Sequence, residues 1–110
     1  MVTREQIDNF AREIARRYSP EKIILFGSQA RGETTPDSDV DMLVIMDFSE
    51  RRGAYKAIEI TNNIDPHFPL DLIVRRMPEV NQRIAEGDFF WMDIMKEGVV
   101  LYDAAYKAVA

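Results

Sequence analysis

The residues best suited to chemistry are two aspartates at the start of an apolar run. Asp39 and Asp41 stand two positions apart in the segment SDVDMLVIM, residues 38–46. Successive side chains of a strand alternate between its faces, so both carboxylates are expected to point the same way. Two adjacent carboxylates repel each other unless a cation neutralises them. Because carboxylate oxygens are preferred ligands of hard divalent cations, the pair predicts a metal site.

A Gly-Ser turn follows the preceding apolar run, residues 22–26. Gly27 allows the backbone to approach a phosphate closely, and Ser28 can donate from both its hydroxyl and its N–H. Arg31 offers a guanidinium fork nearby. A metal site that faces a phosphate indicates phosphoryl or nucleotidyl transfer. In such reactions two metal ions about 3.5–4 Å apart hold the phosphate and the attacking oxygen.

A third carboxylate begins another strand-like run. Asp71 lies in LDLIV, residues 70–74, with apolar residues continuing on its own face. Asp39 and Asp41 likewise precede apolar residues on their own face, Leu43 and Ile45. We therefore expect the three carboxylates to converge at one rim of a sheet whose remainder is core, where a rigid scaffold can carry a metal site.

The elements that must position these residues alternate between helical and strand patterns. The first helix, residues 3–18, should begin with a capping box formed by Thr3 and Gln6. Ser49 is the expected N-cap of a helix over 50–64 whose inward stripe includes Tyr55, Ile58 and Ile64. The Ala-rich tail should be frayed. The predicted strands are 22–26, 40–46, 70–74 and 99–102, the further helices are 78–87 and 88–98, and residues 27–38 form a polar loop.

This order, αββαβααβ, predicts the α/β (α+β) class, with a small mixed sheet flanked by helices. The 110 residues are expected to form a single domain over 1–110. Within the aromatic run at 89–91, part should be core, and an exposed ring would suit a partner surface.

Composition excludes several classes of function. A net charge of −5 disfavours broad binding to nucleic acid, although a nucleotide can arrive with a divalent cation. The absence of cysteine excludes disulfides and thiolate zinc sites. No apolar stretch is long enough to cross a membrane, and the first residues do not resemble a signal peptide, so we expect a cytoplasmic protein. Whether the chain forms a homo-oligomer stays open.

The spacing of these residues matches a known family. The segment GSQARG at 27–32, five further residues and SDVD at 38–41 resemble the G-S-x-A-R-G-x5-S-D-x-D signature of minimal nucleotidyltransferases, which belong to the DNA polymerase β-like superfamily. The resemblance extends to Asp71, at the position of the family's third carboxylate, and to the closing segment IMKEGVVLY, residues 94–102. By contrast, the chain lacks the P-loop ending, a Rossmann fingerprint and the ligand spacing of an EF-hand.

The resemblance implies roles for these residues. Asp39, Asp41 and Asp71 would bind two Mg²⁺ ions, with Asp71 on the side of the attacking hydroxyl. Gly27, Ser28 and Arg31 would hold the β- and γ-phosphates of the nucleotide.

Stand-alone domains of this type resemble the antitoxin half of toxin–antitoxin modules, whose partners are helical HEPN-type ribonucleases. That likeness implies transfer of AMP from ATP to a hydroxyl of the partner, a tyrosine. The larger relatives carry an added acceptor domain for which this chain leaves little room. Two alternatives stay open: transfer to a small molecule such as an aminoglycoside, and an antitoxin that acts by binding alone.

Overall fold

The computed structural model describes residues 1–106, in which a sheet of four strands is covered by helices on both faces. No helix in this part of the chain is long and apolar enough to cross a bilayer. The elements are α1 (Arg4–Tyr18), β1 (Lys22–Phe26), α2 (Gly27–Arg31), β2 (Val40–Ile45), α3 (Gly53–Asn63), β3 (Leu70–Arg75), α4 (Met77–Ala85), α5 (Phe89–Glu97) and β4 (Val99–Asp103).

The strands are arranged in the order β3-β2-β1-β4. Strand β1 pairs antiparallel with both β2 and β4, whereas β2 and β3 are parallel. A parallel pair needs a crossover connection, and α3 supplies it between β2 and β3. The predicted mixed sheet flanked by helices is therefore confirmed.

Two apolar clusters hold the three layers together. On one face, α1 and α3 pack on alternate strand residues, including Leu25, Met42 and Val44. On the other face, α4 and α5 cover the intervening residues, including Leu43 and Ile45. Because β2 is buried from both sides, every residue after Asp41 in this strand is apolar.

The start of α1 follows the predicted capping box. The Thr3 side chain accepts a hydrogen bond from the Gln6 backbone N–H at 3.2 Å, and the Gln6 side chain accepts from the Thr3 N–H at 2.8 Å. Two N–H groups that the first helical turn leaves without a partner are thereby satisfied.

The predicted helix over 50–64 was wrong at its start and in its inward stripe. Helix α3 begins at Gly53, and its N-cap position is held by Arg52 rather than Ser49. Tyr55 and Ile58 are 55% and 56% exposed, because the buried stripe instead runs through residues 53, 57, 60 and 64. That stripe follows the helical period and ends at Ile64, the one inward residue predicted correctly.

The chain after β4 also differs from the prediction. Residues 104–106 form a single turn of 3-10 helix instead of a frayed end. The rest of the Ala-rich tail lies outside the described residues.

Candidate active site

Most of the predicted site residues lie at one edge of the sheet, where β2 and β3 begin and β1 ends. Because β2 and β3 are parallel, their first residues lie side by side, and Asp41 is directly opposite Asp71. The antiparallel strand β1 ends at the same edge, where Phe26 is opposite Asp41. Gly27 therefore emerges from the sheet next to the two aspartates.

Asp41 and Asp71 also share a face. Alternation places them with Leu43, Ile45 and Ile73, on the side that α4 and α5 cover. Asp41 is half-buried at the second position of β2, and Asp71 is exposed at the second position of β3. Asp39 lies just before β2 and is exposed to solvent.

The carboxylates influence one another electrostatically. Partial burial raises the pKa of the Asp41 carboxyl, and the negative charges of Asp71 and Asp39 raise it further. The Arg31 guanidinium acts on the same pKa in the opposite direction, as the smallest of the four causes. The site therefore holds negative charge that its own residues do not fully balance.

Hard oxygen donors with unbalanced charge suit a divalent cation. Within residues 1–106, however, no three His, Cys, Asp or Glu side chains already stand close enough together to form a metal-binding group. Asp39, Asp41 and Asp71 are thus neighbours at one sheet edge, but their carboxylates do not lie close enough together to coordinate one ion. The donor chemistry of the three carboxylates fits a divalent cation.

Gly27 has a steric reason to be glycine. Its φ of 73° lies in the left-handed region, which side chains disfavour. A Cβ at this position would fall on the Asp41 carboxylate, with the carboxyl carbon only 3.1 Å away. The backbone therefore approaches the candidate metal ligand as closely as the absence of a side chain allows.

The predicted loop over residues 27–38 was wrong in its first part, where residues 27–31 are helical, and is confirmed for residues 32–38. Helix α2 spans Gly27–Arg31 and ends where Gly32 adopts a left-handed conformation and its N–H donates to the Ser28 carbonyl. A helix of this length is too short to show a periodic apolar pattern, so sequence periodicity could not reveal it. Ser28 lies in its first turn. Arg31 is exposed in its last turn and forms an ion pair with Glu33 at 3.2 Å.

Ser38 has a structural role that the sequence analysis missed. Its hydroxyl accepts a hydrogen bond from the Thr35 backbone N–H at 2.8 Å, which closes a turn immediately before Asp39. The signal was available, since serine often bonds to nearby backbone in turns. This serine shapes the chain that leads into the aspartate pair.

A groove of about 690 Å³ opens beside Gly27, between α2 and α5. Its walls come from segments far apart in sequence, so no local pattern predicts it. Within the neighbouring aromatic run, Trp91 is buried, whereas Phe90 is half exposed and meets Phe26 edge-to-face at 6.0 Å. Phe89 is 78% exposed. The expected division of this run between core and surface is confirmed.

Comparison with known proteins identifies the family of this chain and agrees with its fold. The family model of the nucleotidyltransferase domain matches residues 7–101. Protein adenylyltransferase MntA of Thermococcus cleftensis is 36% identical over 81 residues, which cover 68% of this chain and 80% of the relative. A proposed protein adenylyltransferase of Methanocaldococcus jannaschii, MJ0126, is 32% identical over 88 residues, covering 76% and 88%.

A solved structure of a proposed nucleotidyltransferase from Sulfolobus solfataricus is similar in fold. It superposes with a TM-score of 0.63 at 21% identity and covers 90% of this chain and 78% of that one. The chain belongs to the nucleotidyltransferase domain family, and the resemblance seen in its Gly-Ser and Asp-x-Asp segments is confirmed at that level. It is a nucleotidyltransferase, and the two relatives named above are of the adenylyltransferase kind.

Proposed function

We propose that this chain transfers AMP from ATP to a hydroxyl group of a partner protein. The observation that carries the proposal is the parallel register of Asp41 and Asp71 at the sheet edge where Gly27 packs on Asp41. This arrangement puts carboxylates and a closely approaching backbone next to one another, as transfer from a metal-bound triphosphate requires. The names of the two relatives support a protein as the acceptor.

The proposed roles follow from position. Asp39 and Asp41 would together hold two Mg²⁺ ions, and Asp71 would complete the site on the side of the attacking hydroxyl. Bound Mg²⁺ would neutralise phosphate charge and lower the pKa of the acceptor hydroxyl. Gly27 and Ser28, with Arg31 at the other end of α2, would hold the β- and γ-phosphates.

The transfer itself is an in-line displacement at the α-phosphorus. The acceptor oxygen forms a bond to this phosphorus while the bond to the oxygen that bridges to the β-phosphate breaks. Pyrophosphate leaves, and the hydroxyl proton passes to the Asp71 carboxylate and then to solvent. Asp71 is exposed and lies opposite Asp41, so an acceptor from another chain can reach it.

We further propose that the acceptor is a HEPN-type ribonuclease toxin, that the modified group is a tyrosine, and that modification neutralises the toxin. The basis is the resemblance of residues 27–41 to the signature of minimal nucleotidyltransferases, whose stand-alone members resemble the antitoxin half of such modules. Transfer to a small molecule and neutralisation by contact alone are the competing outcomes.

The nucleotide site is tested by calorimetric titration of ATP with and without Mg²⁺. We expect Mg²⁺ to strengthen ATP binding in the wild type and to have no such effect in Asp39→Asn/Asp41→Asn. The matched control is Glu21→Gln/Glu86→Gln, which removes the same charge from two exposed positions that form no ion pair within residues 1–106. Equal ATP affinity with and without the metal in the wild type would refute the proposed site.

The acceptor is tested by co-expressing the chain with the product of the neighbouring gene and measuring the mass of that product. We expect the wild type to add the mass of one or more AMP units to a tyrosine of the partner and to relieve its toxicity. Asp39→Asn/Asp41→Asn should lose both effects. Full relief by the double variant without any mass shift would show neutralisation by contact. An unmodified partner together with adenylylated small molecules would show the other competing function.

A further inference from the structure

The groove between α2 and α5 adjoins the candidate active site. Gly27 lines both, so a molecule in the groove lies directly beside the edge that carries the aspartates. Its apolar lining includes Phe26, Ala30, Phe90 and Ile94. Phe90 is 50% exposed although it packs on Phe26, which leaves an aromatic surface available to a ligand.

The charged lining of the groove is mainly acidic. Asp93, Glu97 and Glu33 contribute carboxylates, whereas Arg31 is the one basic residue of the lining and is paired with Glu33. Asp93 and Glu97 take part in no ion pair with any residue from 1 to 106. Two carboxylates of the groove are therefore available to a ligand from outside.

These two carboxylates are unfavourably placed for the helix that carries them. Asp93 and Glu97 stand four residues apart on α5, where like charges face each other and repel. Glu97 is also the last residue of the helix, where the helix dipole favours positive charge. A cationic ligand would relieve both effects, so the groove itself favours positive charge.

The same charges disfavour a triphosphate along the α5 wall of the groove, because a triphosphate is strongly anionic. Gly27 and Arg31, which would hold the phosphates, belong to the opposite wall, formed by α2. An apolar lining with an acidic border is instead complementary to a peptide segment that combines a basic side chain with an aromatic or aliphatic one. In the proposed function the second substrate is a protein, and its hydroxyl must reach the edge next to Gly27.

We propose that the groove between α2 and α5 binds a basic, partly aromatic segment of the acceptor protein and so positions its hydroxyl at the active site. This inference rests on the proposed function and adds the recognition site of its protein substrate. An extended chain advances by about 3.3 Å per residue, so the target hydroxyl lies within a few residues of the docked segment. Asp93 and Glu97 bind the basic side chains, and Phe90 contacts the apolar one.

The test uses fluorescent synthetic peptides of twelve residues, with binding measured by anisotropy in the absence of ATP. The first peptide carries a central tyrosine flanked by two arginines and a phenylalanine, the second has glutamate for each arginine, and the third has serine for the phenylalanine. We expect the first peptide to bind on the order of tenfold more tightly than either of the others. Raising the salt concentration should weaken its binding.

The same peptides are then titrated into variants of the chain. Asp93→Asn/Glu97→Gln should weaken binding of the first peptide on the order of tenfold and remove its preference over the second. The control Glu21→Gln/Glu86→Gln carries the same change in charge and should bind like the wild type. Thermal unfolding checks that both variants are folded, and Mg²⁺-dependent ATP binding should be unchanged in both.

Several outcomes would overturn the inference. One is equal binding of the basic and the acidic peptides; another is an equal loss in the control variant. Weakened ATP binding in Asp93→Asn/Glu97→Gln with peptide binding intact would make the groove a nucleoside pocket. Concentration-dependent dimerisation that this variant abolishes, with no effect on the peptides, would assign the groove to a second copy of the chain.

The peptide assay contains no ATP, so its result is independent of catalysis. Absence of AMP transfer with peptide binding intact would refute only the proposed function. Transfer to the partner at the wild-type rate by Asp93→Asn/Glu97→Gln would refute only the groove as the docking site.

Discussion

Replacing Gly27 by alanine should separate the folding of this domain from its chemistry. Gly27 has a φ of 73°, and a Cβ there would overlap the Asp41 carboxylate. Gly32 has the same φ of 73°, yet a Cβ built on it meets nothing within 4 Å. Alanine at Gly27 or at Gly32 would therefore meet the same backbone strain, but only at Gly27 would its Cβ contact Asp41, the candidate metal ligand.

The expected magnitudes follow from this geometry. An alanine in the left-handed region costs about 1–2 kcal/mol, and the reduced entropy of the unfolded chain returns about 0.4–1 kcal/mol. Both variants should therefore lose on the order of 1 kcal/mol of the free energy of unfolding, or about 4 °C in Tm. Only Gly27→Ala must displace the Asp41 carboxylate, and a misplacement of about 1 Å can slow a reaction on the order of a hundredfold.

The assay combines urea unfolding with the rate of pyrophosphate release during AMP transfer to the partner. Gly87→Ala is a further control, since Gly87 has a φ of 80° and open space at its Cβ position, in the turn between α4 and α5. We expect all three variants to be folded at 25 °C, and only Gly27→Ala to lose transfer by about two orders of magnitude.

Two results would contradict this reasoning. Transfer by Gly27→Ala within a few-fold of the wild type would mean that the position of the Asp41 carboxylate does not limit the reaction. An equal loss of transfer in Gly87→Ala would show that backbone strain alone explains the effect.

Three further predictions concern single residues. Asp71→Asn should lower kcat on the order of a hundredfold, measured by rapid-quench kinetics, and leave the Kd of Mg²⁺-ATP unchanged, measured by calorimetry. Wild-type turnover in this variant would mean that Asp71 only begins a strand. Trp91→Ala should lower the free energy of unfolding by about 3–5 kcal/mol, because Trp91 is only 8% exposed and its ring packs on Phe90. A loss below about 1 kcal/mol in urea unfolding would contradict its place in the core. Thr3→Ala should cost about 1 kcal/mol through the lost cap of α1 without changing transfer, and unaltered thermal stability would show that the capping box adds nothing.

Interactions between residues close in sequence determine several features of this structure. The capping box at Thr3, the alternation of β2 and the Asp88 N-cap of α5 involve residues within a few positions of one another, so their physics is visible in the sequence. The Gly27-Ser28 and Asp39-x-Asp41 segments likewise combine residue types whose chemistry is readable at short range. The catalytic roles of these residues stay predictions, as does the single domain over 1–110.

The tertiary structure decided which distant segments meet. Asp71 becomes a neighbour of Asp41 only because β3 pairs parallel with β2. The groove exists only because α5 packs on β1, across from α2. Tyr55 and Ile58 point outward because α3 packs on β3 through its other face. That face carries the small and apolar residues from Gly53 to Ile64. Sequence periodicity describes how each element repeats, but long-range packing selects which face is buried and which strands are adjacent, because the free energy of burial depends on contacts that no local window contains.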